Sequence, residues 1–187
     1  QSKAVEVHAG AQDLIAMLPR DALTKTMVRQ AIDALNAVSA SLERLKAEMQ
    51  ALAAQLPEYP VVMAMHGVGD SLGPQLMAEL GDVTRFTHRN AITAFAGVDP
   101  GADQSGTYEA KSTRVSKSGP PELRRALFLV MDCLLKTMPQ DDPVYRFMDK
   151  KRAEGKPYLV YMTAGANKFL RIYYGRVKEH LAQLENS

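Results

Sequence analysis

A heptad pattern in the first third of the chain limits the possible folds more than any other feature. Its apolar residues repeat every seven positions in two rows. The first row is Val28, Leu35, Leu42, Met49 and Leu56, and the second is Ala31, Val38, Leu45 and Leu52. Two such rows over four heptads, uninterrupted by Gly or Pro, are typical of a coiled coil. The sequence therefore predicts a long helix that Pro57 terminates and that pairs with another helix.

The partner of this helix is left open by the sequence. The segment from Val5 to Leu18 is the candidate within the chain, and it would produce a long antiparallel coiled-coil hairpin over residues 1–57. A second copy of the chain is the other candidate, which would make the helix a dimerisation element. The hairpin could also serve only to support the domain that follows it.

Residues 58–187 are expected to form a compact helical domain. Helical apolar spacing recurs from Leu72 to Leu80, from Pro121 to just before Pro139, from Pro143 to Arg152, and from Ala164 to Leu181. The 187 residues are 46% hydrophobic and 24% charged, which suffices for one core and an appendage. The predicted fold class is mainly α: a long coiled-coil hairpin followed by a compact helical domain.

Several functional classes find little support in the sequence. Cys133 is the only cysteine, set among apolar neighbours as a buried residue would be, so neither a disulfide nor a zinc cage of cysteines is expected. No nucleotide-binding glycine loop or hydrolase serine elbow is present. No metal site is expected in this chain. No apolar run approaches a membrane span, so a cytoplasmic protein without a membrane partner is expected.

Gly67-Val68-Gly69 separates two short predicted helices, over about residues 61–81. Two glycines around one apolar residue permit a tight turn and leave backbone amides free at the start of the next helix. Such amides suit a DNA phosphate. The arrangement resembles a helix-hairpin-helix, with Gly67 and Gly69 as phosphate-binding residues. The alternative is a purely structural turn.

The segment over about residues 100–121 lacks sustained periodicity and concentrates positive charge. The net charge of +2 does not itself indicate a polyanion partner. Between positions 111 and 125, however, one acid, Glu122, faces five cations. They are Lys111, Arg114, Lys117, Arg124 and Arg125. Because long irregular segments in compact domains are usually functional, we expect these cations to bind phosphate.

Six short motifs follow one another in a fixed order. They are Met65-His66-Gly67-Val68-Gly69, Leu80-Gly81-Asp82-Val83-Thr84-Arg85-Phe86, Ala94-Phe95-Ala96-Gly97-Val98-Asp99-Pro100, Gln104-Ser105-Gly106, Ser116-Lys117-Ser118-Gly119 and Leu123-Arg124-Arg125-Ala126-Leu127. Together they resemble the IS110 family of insertion-sequence transposases over about residues 58–180. One departure is Pro120, where the family commonly has Asn after the Ser-Lys-x-Gly glycine.

The resemblance implies a division of labour between domains. In that family an amino-terminal RuvC-like domain supplies four acidic residues that bind Mg²⁺, a coiled coil follows, and a carboxy-terminal domain supplies a serine. This chain resembles the last two parts, so it is expected to be inactive alone. The resemblance also implies double-stranded DNA as substrate, a noncoding guide RNA, assembly into dimers or tetramers, and association with the bacterial nucleoid when bound to DNA.

The resemblance also matches the family's catalytic serine to Ser105. A serine hydroxyl that attacks a DNA phosphodiester must be deprotonated, must face the phosphorus in line, and needs positive charge near the non-bridging oxygens. Arg114, Lys117, Arg124 or Arg125 could supply that charge, and the product would be a covalent phosphoserine link. Ser116 and Ser118 are the rival nucleophiles, because they lie deeper in the basic stretch.

The sequence is also compatible with a protein that has no catalytic activity. In this alternative the chain is a nucleic-acid-binding and oligomerisation module, in which the Gly67–Gly69 hairpin and the basic segment hold phosphates and Ser105 is a turn residue. Salt-sensitive binding without a covalent adduct would favour it. A third possibility is an oligomerisation element alone, built on the Val28–Leu56 rows.

Overall fold

A computed structural model describes residues 2–12, 22–99, 104–105, 108–109 and 115–186. These residues are mainly helical, which confirms the predicted fold class. The helices are α1 (Ser2–Gln12), α2 (Ala22–Ala53), α3 (Tyr59–Met63), α4 (Leu72–Leu80), α5 (Arg89–Ala96), α6 (Pro121–Thr137), α7 (Pro143–Ala153) and α8 (Tyr158–Glu185). A 3-10 turn spans Val83–Arg85. Two antiparallel strands of two residues, β1 (Gln104–Ser105) and β2 (Tyr108–Glu109), interrupt the segment expected to be irregular.

Helix α2 realises the heptad pattern as one continuous element of 32 residues. It ends at Ala53, before Pro57. The eight large residues of the two apolar rows, together called the seam, run from Val28 to Leu56, which lies just beyond the helix, and are between 41% and 67% exposed. Helix α1 spans part of the proposed partner segment, and residues 13–21 lie outside the described residues. The coiled-coil hairpin and its boundary at residue 57 therefore stay predictions.

The chain divides into two compact units, residues 1–45 and 46–187, at a point inside α2. The second unit holds the hydrophobic core, which α6 and α8 supply in large part. Helix α6 buries six residues along one face, and α8 buries eight. Cys133 lies beside that face of α6 and is half-buried, so the expectation of full burial was wrong.

Local signals set the ends of the helices around this core. Asp142 begins α7: its carboxylate accepts hydrogen bonds from the backbone amides of Val144 at 2.8 Å and Tyr145 at 2.7 Å, and Pro143 follows at the first helical position. His88 caps α5 by accepting from the amide of Ala91 at 3.2 Å. Within the described ranges, no helix combines the length and apolar character that crossing a bilayer requires.

Candidate nucleic-acid interface

The glycine hairpin joins α3 to α4 and lies against α6. Gly67 has a φ of +79°, in the left-handed region that favours glycine. A Cβ atom at this position would lie 2.9 Å from the carbonyl oxygen of Val130 and 3.1 Å from the side chain of Leu134. The fold itself therefore requires glycine at position 67.

Gly69 differs from Gly67 in every one of these respects. It is exposed, its φ lies outside the left-handed region, and a Cβ atom there would meet no described atom within 4 Å. Its carbonyl oxygen accepts a 2.8 Å bond from the amide of Gly73 at the start of α4. The fold does not require glycine at position 69, and its missing side chain leaves room for a close-approaching group such as a phosphate.

Gly73 completes the hairpin from inside α4. A Cβ atom there would overlap the sulfur of Met63 in α3 and lie 3.3 Å from the side chain of Val68. A residue without a side chain therefore lets the two short helices approach each other. Two carboxylates lie near the turn, because Asp70 is exposed and Nε2 of His66 lies 3.6 Å from a carboxylate oxygen of Asp141.

A second feature forms where the segment that carries Ser105 leaves the core and returns to it. Gly97 ends α5 in the left-handed conformation, with a φ of +62°. The amide of Lys117 donates to the carbonyl of Gly97, and the amide of Ser116 donates to the carbonyl of Asp99, each at 3.2 Å. Residues 97–99 and 116–117 thus pair and form the base of the serine-bearing segment, residues 100–115.

The two glycines of this base allow the backbones to touch. A Cβ atom on Gly97 would lie 2.8 Å from the amide nitrogens of Ser118 and Gly119. A Cβ atom on Gly119 would overlap the carbonyl oxygen of Phe95. Residues 94–99 and 116–119, which belong to two motifs distant in sequence, therefore form one structural unit.

The candidate nucleophiles occupy different places on this unit. Ser105 lies in β1 opposite Tyr108, and its side chain is outside the described residues. Ser116 donates a 3.0 Å hydrogen bond from its hydroxyl to Oδ1 of Asp99. The same hydroxyl oxygen lies 3.2 Å from the hydroxyl oxygen of Ser118. Both rival serines are thus hydrogen-bonded at the base of the segment.

The five predicted phosphate-binding cations separate into three groups. Lys111 and Arg114 lie outside the described residues. Arg124 is half-buried, and its guanidinium donates to the carbonyl of Gly119, so it fixes the start of α6 to the base. Lys117 and Arg125 are exposed, although Arg125 lies 3.9 Å from Glu122 on the same helix. Exposed pairs of this kind are weak, which leaves Lys117 and Arg125 available to an anion.

Helix α6 connects the two features. Arg124 contacts the base of the serine-bearing segment, and Val130 contacts the glycine hairpin. They are six positions apart, which corresponds to roughly 9 Å along a helix axis. The sequence identified both motifs, but it did not identify Asp99 as a contributor. Nothing in the sequence connects Asp99 with Ser116, because 17 positions separate them.

Metal binding depends on where the fold positions the described side chains. Across the described ranges, no three His, Cys, Asp or Glu side chains converge in a way that could hold one. The described side chains therefore do not fit the Mg²⁺ site that the resemblance implies, and that site stays a prediction about another domain.

Comparison with known proteins places the two features in one region. Residues 59–146 match the model of the transposase IS116/IS110/IS902 family. Over 163 residues the chain is 25% identical to a protein of Streptomyces coelicolor, the insertion element IS110 uncharacterized 43.6 kDa protein. The aligned region covers 87% of this chain and 39% of that protein. Over 114 residues it is 27% identical to a pilin gene-inverting protein of Moraxella bovis, with 61% and 35% covered. The chain thus spans less than half the length of these relatives.

Proposed function

We propose that the chain, whose residues 59–146 match the transposase IS116/IS110/IS902 family, is the serine-bearing, carboxy-terminal part of a DNA recombinase that moves an insertion sequence. The observation that carries this proposal is the contact between residues 94–99 and 116–119. That contact anchors the two ends of the segment that carries Ser105, and the anchored end at residue 117 holds an exposed lysine close in sequence to the start of α6. A reactive hydroxyl needs such anchoring to meet a phosphodiester in line.

Ser105 is the proposed nucleophile. Its oxygen forms a bond to a DNA phosphorus while the bond from that phosphorus to one strand oxygen breaks. The hydroxyl proton leaves Ser105, and the released strand oxygen takes up a proton. Lys117 and Arg125, with Lys111 and Arg114, would place positive charge near the non-bridging oxygens, where it stabilises the developing negative charge.

The glycine hairpin is the proposed grip on the DNA backbone. Gly69 gives a phosphate access to the backbone at the start of α4, while Gly67 only secures the turn to α6. A contact through backbone amides carries no base specificity. We therefore propose that double-stranded DNA is held here independently of sequence, and that a noncoding guide RNA supplies sequence recognition elsewhere in the complex.

The complete reaction is proposed to need more than these 187 residues. The acidic residues that bind Mg²⁺ would lie in a separate amino-terminal domain, so this chain alone is expected to be inactive. The exposed seam of α2 supports assembly, because monomeric proteins rarely display a long continuous apolar stripe. We propose that the seam pairs with a second copy in a dimer or a tetramer.

The first experiment joins this chain to the acidic domain of its parent protein, with Mg²⁺, guide RNA and labelled DNA. We expect a covalent protein–DNA adduct that survives denaturation and is abolished by Ser105→Ala. Ser116→Ala and Ser118→Ala are the matched controls and should retain an adduct. An adduct that survives Ser105→Ala but not one of the control changes would move the nucleophile to that serine.

The same experiment also tests the non-catalytic alternative. Salt-sensitive DNA binding by every variant, with no adduct from the unmodified protein, would favour a nucleic-acid-binding and oligomerisation module. The wild-type complex must first be shown to bind DNA, because absent binding would leave the serine without its substrate.

A further inference from the structure

We propose that Asp99 is a positioning residue that, through Ser116 and Ser118, holds residues 97–99 against residues 116–117, a pairing called here the closure. The assignment of a nucleophile to that segment rests on the proposed function. The closure itself does not, because it follows from contacts among described residues.

The hydroxyl chain at the base has a defined order. Oδ1 of Asp99 accepts from the hydroxyl of Ser116 at 3.0 Å, and the oxygen of that hydroxyl is 3.2 Å from the hydroxyl oxygen of Ser118. Asp99 leaves the core directly after Val98, which is only 2% exposed. One end of the chain of hydroxyls is thus attached to the buried core.

The side-chain bond reinforces a short backbone pairing. Two backbone hydrogen bonds, each 3.2 Å long, join residues 97 and 99 to residues 117 and 116. A pairing this short frays easily when its edges are exposed. The Asp99–Ser116 bond adds a third connection across the same base, and it involves a charged acceptor, which makes it stronger than a bond between neutral groups.

Lys117 lies between the two serines, and the closure maintains its unusual backbone conformation. Its φ is +51°, a conformation that residues other than glycine rarely adopt. Such a conformation persists when the surrounding contacts determine it. The hydroxyls on both sides of Lys117 and the bond from its amide to Gly97 provide these contacts. Asp99 therefore also helps to fix the backbone position from which the exposed side chain of Lys117 extends.

The bond to Ser116 is the side-chain contact that the described residues give the carboxylate of Asp99. Among the residues that the structure describes, no Lys, Arg or His lies within ion-pair distance of it. The competing explanation is that Asp99 serves as a base that activates Ser116 as nucleophile, since a hydroxyl that donates to a carboxylate is the arrangement such a base requires. The two roles differ in whether the negative charge is necessary.

The first test uses the 187-residue chain without DNA, and measures hydrogen exchange at the amides of Ser116 and Lys117. We expect Asp99→Ala to accelerate exchange by about tenfold, near the lower end of what a hydrogen bond to a charged group is worth. Asp99→Asn should remain within about threefold of the unmodified chain, because its side-chain oxygen still accepts from Ser116. Unchanged exchange in Asp99→Ala would overturn the proposed closure.

The second test measures the rate of adduct formation by the complex with the acidic domain. Asp99→Ala should slow the adduct about tenfold without moving it from Ser105, and Asp99→Asn should restore most of the rate. Loss of the adduct in Asp99→Asn with normal exchange would show that the charge is essential, and so contradict a positioning role. If the unmodified complex forms no adduct, the proposed function fails, while the exchange measurement still decides the closure.

Discussion

The seam of α2 and the buried face of α6 look alike in sequence and end in opposite environments. Both are rows of Leu, Val and Met at helical spacing. The six buried residues of α6, Leu127 among them, are each 0% exposed to solvent, whereas Leu42 on the seam is 50% exposed. An apolar stripe therefore predicts a helix and which of its faces is apolar. It does not predict whether that face packs against the same chain or against another one.

The largest expected effect separates these two faces directly. Leu127→Ala should lower the free energy of unfolding by about 2–5 kcal/mol, because it leaves a cavity in a close-packed core. Leu42→Ala at low protein concentration should change it by no more than about 0.5 kcal/mol. Urea denaturation followed by circular dichroism measures both. A concentration-dependent loss in Leu42→Ala would sharpen the comparison, because it would mean that a second copy covers the seam.

A smaller effect is expected within the glycine hairpin. Gly67→Ala should destabilise the domain by about 1–3 kcal/mol, because it combines a left-handed φ with a contact against Val130. Gly69→Ala is the matched control and should leave thermal stability nearly unchanged while weakening salt-dependent DNA binding. Equal stability losses in both variants would refute the distinction between a structural and a functional glycine.

The smallest effect depends on pH and compares two tyrosines of α8. Burial raises the pKa of Tyr173 above the ordinary value of 10.0. The group is therefore neutral in the folded chain, and the stability this gives is complete below pH 10 and is lost as the pH rises toward the raised pKa. Tyr173→Phe should reduce the fall in melting temperature between pH 8 and about pH 11. Tyr158→Phe, at an exposed position, should not, and an identical fall in all three proteins would contradict the assignment.

The sequence predicted the two motif regions of the candidate site for different reasons. The glycine hairpin follows from local conformation, because two glycines between helical patterns have few alternatives. The prediction of the serine rested on the resemblance, and that of its basic neighbours on local charge. Both indicate a function, but neither predicts how the side chains are arranged. Arg124 illustrates the limit: its charge suggested a phosphate contact, and the structure engages it with the carbonyl of Gly119.

Local patterns determined the helices of this protein, since periodicity, prolines and capping residues act over a few positions. The predicted starts at Pro121 and Pro143 coincide with α6 and α7. Tertiary structure alone decided that Asp99 meets Ser116, that Gly97 touches Gly119, and that Gly67 rather than Gly69 is needed for packing. These contacts join residues far apart in the chain, and their energies depend on distances of a few ångströms, which only the assembled core establishes.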